Sequence, residues 1–449
     1  MLVGWAVVMF DETVPFPSVF ALAPTLGTTL VIVAASPQTL VGRWLATRIL
    51  VGIGLISYSL YLWHHPLLVF ARHRSLSEPG GALVAALIML SFGLAYLSWK
   101  YVEQPFRSSV LIPRKILFIA WLVGSVVLIE VGVAGHLANG FAGRLANQPS
   151  AVSTLEPIQL KVAETMSSQY MAEQMQLNTA EPIAIAPSKR YNYGLSVACD
   201  RTFTLAPECR TSNEPEILVW GDSFAMQVVP GILASNPDAK LIQMTMSVCG
   251  PFFDAAPISE PDFPVSWSQG CLDFTSQVRE WLKNNYTIKY TVLSSPFSQY
   301  ILSDARLLLR SGEIRDASLD WAIAAFQKTL AELKSLGIQP IVFSPPPDNG
   351  LDLGRCLARA EWMGIGLDRC DFRVDNISGE RLETYDFLDA IAETDSVIRL
   401  DDFICDEIWC KTHAGPIWMY RDAKHLTAEG AALLGKQHDF YGLITGHLP

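Results

Sequence analysis

The sequence predicts two materials in one chain: a partial bundle of transmembrane α-helices, followed by a three-layer α/β/α domain with a mainly parallel sheet. Three observations predict this. Apolar residues make up 50% and charged residues 17% of the 449 positions, and mean hydropathy is +0.26, whereas a soluble domain carries roughly a quarter charged residues. Charge is also segregated, with nine Lys and Arg against five Asp and Glu through Arg144, and 24 against 39 after it. All eight cysteines fall in the second part, from Cys199 to Cys410. Together these exclude a single soluble globule and a collagen-like or low-complexity chain. They also exclude a general nucleic-acid binder, because the acidic second part repels phosphate backbones.

Four stretches approach the ~20 apolar residues that a spanning helix needs: Phe16–Ser36, Ile49–Phe70, Ala82–Trp99 and Ile116–Leu137. Met1–Phe10 reads as the tail of a fifth. It is too short to span and lacks the basic region and small-residue cleavage site of a signal peptide, so the chain starts as if cut from something longer. Arg43 and Arg48 share one loop, and Lys100, Arg107, Arg114 and Lys115 the next loop on the same side, with Arg72 and Arg74 opposite. The excess of basic residues marks the cytoplasmic face. Everything after about Leu137 is then extracytoplasmic, in the oxidising compartment that the cysteines independently suggest.

Two motifs stand out in this half: Ser57-Tyr58-Ser59-Leu60-Tyr61-Leu62-Trp63-His64-His65-Pro66-Leu67 and Tyr101-Val102-Glu103-Gln104-Pro105-Phe106-Arg107. An aromatic belt at the membrane interface accounts for much of the first, yet an ionisable His64 inside an apolar span is a functional candidate by default. Glu103 and Arg107 stand at i,i+4, the spacing of a helical salt bridge. Both motifs resemble the C-terminal half of integral-membrane acyltransferase family three, whose members move acyl groups onto extracytoplasmic polysaccharides. His64 matches the family motif, and His65 replaces what is often an aromatic residue. The family has more membrane helices than the four or five seen here, with its essential histidine near the beginning. The resemblance therefore implies that a longer gene product or a separate chain supplies the other helices.

Residues 138–196 show no sustained periodicity beyond an amphipathic stretch at Leu160–Leu177. Pro149, Pro157, Pro182 and Pro187 punctuate the rest, as in a connecting region. From Val197 onward, apolar runs at Glu216–Trp220, Lys240–Ser247, Lys289–Ser294, Gln339–Ser344 and Val397–Phe403 predict strands. Helical patterns fall at Ser223–Ser235, Ser268–Asn284, Ala317–Leu336, Gly379–Ala392 and Thr427–Gly442. Alternation of this kind gives a parallel sheet covered on both faces, with chemistry at the carboxyl ends of its strands.

The first of these strands runs into Gly221-Asp222-Ser223-Phe224. A serine on a tight turn after a strand exposes its Oγ, and its N–H at a helix start can hold developing negative charge; Asp or Ser there is also an ordinary N-cap. Asp422-Ala423-Lys424-His425-Leu426-Thr427 precedes the last helix, supplying the imidazole base that a serine nucleophile needs and the carboxylate that orients it. The pair resembles the SGNH/GDSL-type esterases and acyltransferases over about residues 195–449. The resemblance implies Ser223 as nucleophile, His425 as general base and then acid, and Asp422 as its orienting partner. Ser223 N–H and Gly250 are the oxyanion candidates, each such donor being worth ~2.7–4 kcal/mol in the transition state. Where the family carries Gly-x-Asn-Asp, this chain reads Ser294-Ser295-Pro296-Phe297. Asn349 belongs first to an Asn-Gly turn and only second to an oxyanion hole.

Nearest-neighbour pairing of the cysteines proposes Cys199–Cys209, Cys249–Cys271, Cys356–Cys370 and Cys405–Cys410. No pair has the Cys-x-x-Cys spacing of structural zinc, so no metal is expected, and His413 near Cys410 reads as a surface residue. The combined resemblance is to fused acyltransferase-three/SGNH proteins that O-acetylate O-antigen or peptidoglycan. It implies a multi-pass protein of the bacterial inner membrane with a periplasmic C-terminal domain. Cytoplasmic acyl-CoA is the implied donor, a glycan hydroxyl the acceptor, and no cofactor is bound. The expected division is 1–137 for the membrane part, including a final helix at 116–137, then 138–196 for the connection and 197–449 for the catalytic domain. A carbohydrate esterase with the same triad, and a membrane-anchored glycan-binding module, are the alternatives.

Overall fold

The apolar stretches of the first 137 residues form helices. In the computed structural model, residues 2–10, 18–75, 79–107, 114–137, 189 and 191–446 are described; most of the connection, including Leu160–Leu177, lies outside them. The chain divides into two units, Met1–Pro149 and Ser150–Pro449. The first has helices at Leu2–Met9, Leu22–Ala34, Leu40–Leu45, Arg48–Arg74, Gly81–Ser98 and Arg114–Leu137. Among the described residues, two helical stretches, Gly81–Phe106 and Phe118–Leu137, are long and apolar enough to cross a bilayer. Of the stretch expected at Phe16–Ser36, the described residues are helical over Val19–Ala34. Arg48–Arg74 has the length, at 27 residues, but His64, His65 and its terminal arginines dilute its hydropathy.

In this unit His64 Nδ1 lies 3.0 Å from the Leu60 carbonyl and 2.9 Å from that of Tyr61, on its own helix. Ser59 is buried and its hydroxyl donates to Glu103 Oε2 at 3.1 Å. Glu103 ends a π-helical turn, Trp99–Glu103, an irregularity that tends to mark functional sites. The side chain of Arg107, its expected partner, lies outside the described residues.

In the second unit, five parallel strands form the central sheet: β1 (Ile217–Gly221), β2 (Leu241–Thr245), β3 (Tyr290–Ser294), β4 (Gln339–Phe343) and β5 (Ser396–Ile398), in the order β2-β1-β3-β4-β5. Every residue of β1 and β2 is buried, as a parallel sheet covered on both faces requires. Trp220 of β1 stacks on Phe253 at 4.6 Å between ring centroids, and Phe252, Phe297, Phe326 and Phe387 extend this core. The order reverses between β1 and β3, which opens a crevice at their carboxyl ends. Ser223 follows β1 directly, at the edge of that crevice.

The structure departs from the expected elements at several points, among them an unexpected helix at Leu353–Met363. The helix expected over Ser223–Ser235 divides into Ser223–Met226 and Val229–Ser235. The last helix breaks at Asp439, whose φ is +47°, giving Ala428–His438 and Phe440–Thr445. The run Val397–Phe403 is a strand only to Ile398: Leu400 N–H turns to the Ser344 hydroxyl at 2.8 Å and a short helix begins at Asp401. An antiparallel sheet of Ala255–Ile258, Arg306–Leu309 and Ile314–Asp316 has no counterpart in the expectation, because Ala-Ala-Pro-Ile carries little strand propensity. Asp254, ion-paired to Arg279, Arg310 and Lys328, ties it to its neighbours.

Four disulfides join Cys199 to Cys209, Cys249 to Cys271, Cys356 to Cys370 and Cys405 to Cys410. Cys249–Cys271 is fully buried and fastens the segment after β2 to the helix Val265–Lys283. Closing its 22-residue separation contributes about 3 kcal/mol in the chain-entropy account.

Candidate active site

Gly221 ends β1 with φ +149°, and a Cβ there would lie 2.3 Å from the Ser294 carbonyl oxygen on β3. Glycine is what lets the chain turn this tightly against its neighbour. Asp222 follows as the N-cap: its Oδ1 accepts from Phe224 N–H at 2.9 Å and its Oδ2 from the Ser295 hydroxyl at 2.7 Å. Ser223 is then the first helical residue, whose N–H has no acceptor within its own helix.

The partner loop is built as tightly. Asp422 Oδ1 accepts from the backbone N–H groups of Lys424 at 2.9 Å and His425 at 2.8 Å. This folds Asp-x-x-His so that both carboxylate oxygens lie 3.0 Å from His425 Nδ1. His425 Nε2 is 2.8 Å from Ser223 Oγ, and Phe224 packs against the imidazole at 4.4 Å between centroids. Serine, imidazole and carboxylate, 202 residues apart at the extremes of one bond, form one relay.

Electrostatics keep this relay in the state a base needs. Burial pushes the His425 imidazole below its ordinary value; the Asp422 bond pulls it back, and the charges of Arg421 and Arg381 push it down again, leaving it lowered. His425 is thus neutral at pH 7 with Nε2 able to accept a proton. Burial also pushes the Asp422 carboxyl up, but the His425 bond and the positive charge of Arg421 outweigh it and hold the group well below the usual carboxylate range.

Asp222 behaves oppositely. It is completely buried, and burial drives its carboxyl up to about 7 against the donors Ser295 and Phe224, with the Asp200 charge adding to the rise. The folded value lies above the unfolded one, so Asp222 contributes stability that is present at low pH and lost as pH rises through about 7. A single group sets a slope no steeper than about 1.4 kcal/mol per pH unit. The melting temperature of the parent chain is expected to fall more between pH 5 and pH 8 than that of Asp222→Asn; equal falls in both would contradict this.

The other expected site residues divide. Gly250 N–H donates to the Tyr300 hydroxyl at 3.0 Å, with both residues buried against Phe252. This corrects the expectation of an oxyanion donor there: the amide is already engaged with a phenol that burial keeps protonated. Asn349 sits in the turn before Gly350, its Oδ1 accepting from Leu351 N–H at 3.0 Å. His413 bonds the Gly415 carbonyl within a small hairpin. His64 belongs to the other unit. Among the described residues no group of three or more His, Cys, Asp or Glu is placed to hold a metal. Sequence reading missed Gln227, whose Oε1 accepts from Leu426 N–H at 2.6 Å. Its position one turn after Ser223, polar in a stretch whose sequence is otherwise mostly apolar, was the available signal.

Residues 198–439 match the family model described as an SGNH domain fused to AT3 domains. The chain belongs to this family. Among its curated relatives, O-acetyltransferase OatA of Staphylococcus aureus (strain NCTC 8325 / PS 47) is 30% identical over 114 residues, covering 22% of this chain and 19% of that protein. A Komagataeibacter xylinus protein named as a membrane-bound transacylase, BcsY, is 37% identical over 75 residues, 17% of this chain and 19% of its own. Each match therefore spans about a fifth of the relative's length. The periplasmic domain of a lipopolysaccharide acetyltransferase from Salmonella ser. Paratyphi A aligns with a TM-score of 0.41 at 17% identity, over 53% of this chain and 87% of that one. The family fuses the SGNH domain to membrane acyltransferase domains, in keeping with the apolar helices that precede it here.

Proposed function

We propose that this chain transfers an acyl group, acetyl by analogy with its relatives, to a hydroxyl of a bacterial surface polysaccharide through an acyl-enzyme on Ser223. The observation that carries the reading is the bonded sequence Ser223 Oγ, His425 Nε2, His425 Nδ1, Asp422. His425 takes the Ser223 proton as Oγ attacks the donor's carbonyl carbon, and returns that proton to the departing group as the donor's acyl bond breaks. Ser223 N–H faces the oxyanion that forms between the two events. In the second half-reaction His425 deprotonates the acceptor hydroxyl, which attacks the same carbon. Ser223 Oγ then leaves with the proton.

Membrane helices upstream deliver the acyl group from cytoplasmic acyl-CoA, and the SGNH domain receives it in the periplasm. His64 is a candidate of that membrane half, and further helices, in the same gene product or a separate chain, complete it. In the alternative fate of the acyl-enzyme, water replaces the sugar hydroxyl and the domain acts as a carbohydrate esterase.

Intact-mass measurement after exposure to an activated acetyl ester tests the first step. One acetyl per chain is expected in the parent and none in Ser223→Ala; equal uptake in both would remove Ser223 from the reaction. Adding oligosaccharide acceptors and comparing acetylated glycan with free acetate separates transfer from hydrolysis.

A further inference from the structure

The polar groups of the relay all lie within the matched domain, but one buried amide next to them does not. Asn192 comes from the end of the connecting region, six residues ahead of the family match, and is only 2% exposed. Its Nδ2 donates to the Gln227 carbonyl at 3.2 Å and lies 3.5 Å from the Leu426 carbonyl. Gln227 directly follows the helix that begins with Ser223, and Leu426 directly follows His425. One side chain thus touches the backbone on both sides of the relay. Gln227 and Leu426 are also joined to each other, through the 2.6 Å bond from Leu426 N–H to Gln227 Oε1.

The segment carrying Asn192 is held in place by independent contacts. Gln243 on β2 reads it with both ends of its amide: Oε1 accepts from Leu195 N–H at 2.8 Å, and Nε2 donates to the Tyr193 carbonyl at 3.0 Å. Gly194 has φ +67°, and a Cβ there would lie 2.2 Å from Gln243 Oε1 and 3.0 Å from the Met226 carbonyl. Only glycine lets the segment press this closely on the helix that bears Ser223. Asn192 Oδ1 accepts from Gly194 N–H at 3.2 Å, which fixes which end of the amide faces the two carbonyls. Further out, Lys189 lies 4.3 Å above the Trp418 ring and 2.7 Å from Glu361.

We propose that Asn192 is a positioning residue for acyl transfer. By holding the carbonyls of Gln227 and Leu426 together, it sets the separation of Ser223 and His425, so that the end of the connecting region completes the active site. This rests on the serine acyl-enzyme reading above. Buried carbonyls left without donors turn toward other partners, and a displacement of about 1 Å in a catalytic pair costs on the order of 10²-fold in rate. The isosteric change Asn192→Asp keeps the volume while presenting oxygen to two carbonyl oxygens, and so drives them apart.

The test uses the full chain in detergent with p-nitrophenyl acetate. Asn192→Asp is expected to lower kcat about 10²-fold with KM unchanged. Lys189→Ala, which loosens the same segment away from the seam, is expected to leave kcat as in the parent. Melting curves confirm that the variants are folded, and should Asn192→Asp not fold, Asn192→Ser carries the same comparison. A kcat within threefold of the parent in the folded variant overturns the proposal. So does an equal loss in Lys189→Ala, which would report general loosening. If the parent takes up no more acetyl than Ser223→Ala, the acyl-enzyme reading falls and this proposal with it, an outcome distinguishable from the other two.

Discussion

Asp422→Asn is expected to slow acyl-enzyme formation by about 10⁴-fold, the scale on which a triad loses its rate when the imidazole is held in the wrong tautomer. Here the carboxylate receives His425 Nδ1 on both oxygens at 3.0 Å, which leaves the lone pair on Nε2, facing Ser223 Oγ. An amide nitrogen in place of one oxygen donates where a donor already stands. The ring then prefers the tautomer with its proton on Nε2, and Ser223 has no base. The backbone donors Lys424 and His425 still find the remaining oxygen, so the loop keeps its shape and the melting temperature stays close to that of the parent. Stopped-flow release of p-nitrophenol measures the effect. A loss smaller than tenfold would mean that Asp422 does not orient the base.

Gly221→Ala is expected to produce the largest loss of stability among single substitutions at the site, about 3 kcal/mol or more. Two costs combine. A non-glycine residue at φ +149° is strained by about 1–3 kcal/mol. In addition, the new Cβ meets the Ser294 carbonyl at 2.3 Å and the Ala225 Cβ at 3.0 Å, and in a packed core such overlap costs about 1–3 kcal/mol. Because β1 and β3 are the central strands of the sheet, neither can withdraw freely. Chemical denaturation with Ser223→Ala as reference measures the difference: removal of one hydroxyl leaves stability nearly unchanged, whereas the extra methyl at 221 lowers it. A Gly221→Ala chain as stable as the reference would show that the turn relaxes.

Much of the architecture was legible because its causes are local. Strands buried on both faces are mostly apolar, so Ile217–Gly221 and, despite its Gln243 and Thr245, Leu241–Thr245 stand out as short runs. The helix Gly379–Ala392 follows its Ser378 cap, and its bounds coincide with those expected. The candidate relay of Ser223, His425 and Asp422 was legible because its members fall in short motifs tied to a strand end and a helix start. What failed to show depended on pairings between distant residues. Pro257 hides an antiparallel strand whose partner, Arg306–Leu309, lies about 50 residues on. Gly250 looked like an available donor until Tyr300, 50 residues on, proved to occupy it. The helix Arg48–Arg74 has spanning length, yet His64, which suggested function, and the adjacent His65 make it less apolar than its neighbours.

The sequence by itself determined the division into an apolar helical part and an acidic, cysteine-bearing α/β part, together with the residue types of the candidate relay. Composition, periodicity and residue type are properties of the chain read in order. Tertiary structure alone decided the strand order β2-β1-β3-β4-β5, which places the turn after β1 at the crevice. It also decided the 2.8 Å approach of Ser223 to His425, and the seating of Asn192 against the carbonyls of Gln227 and Leu426. Those distances are set by buried hydrogen bonds between segments about 200 residues apart, and burial makes such bonds costly to leave unmade.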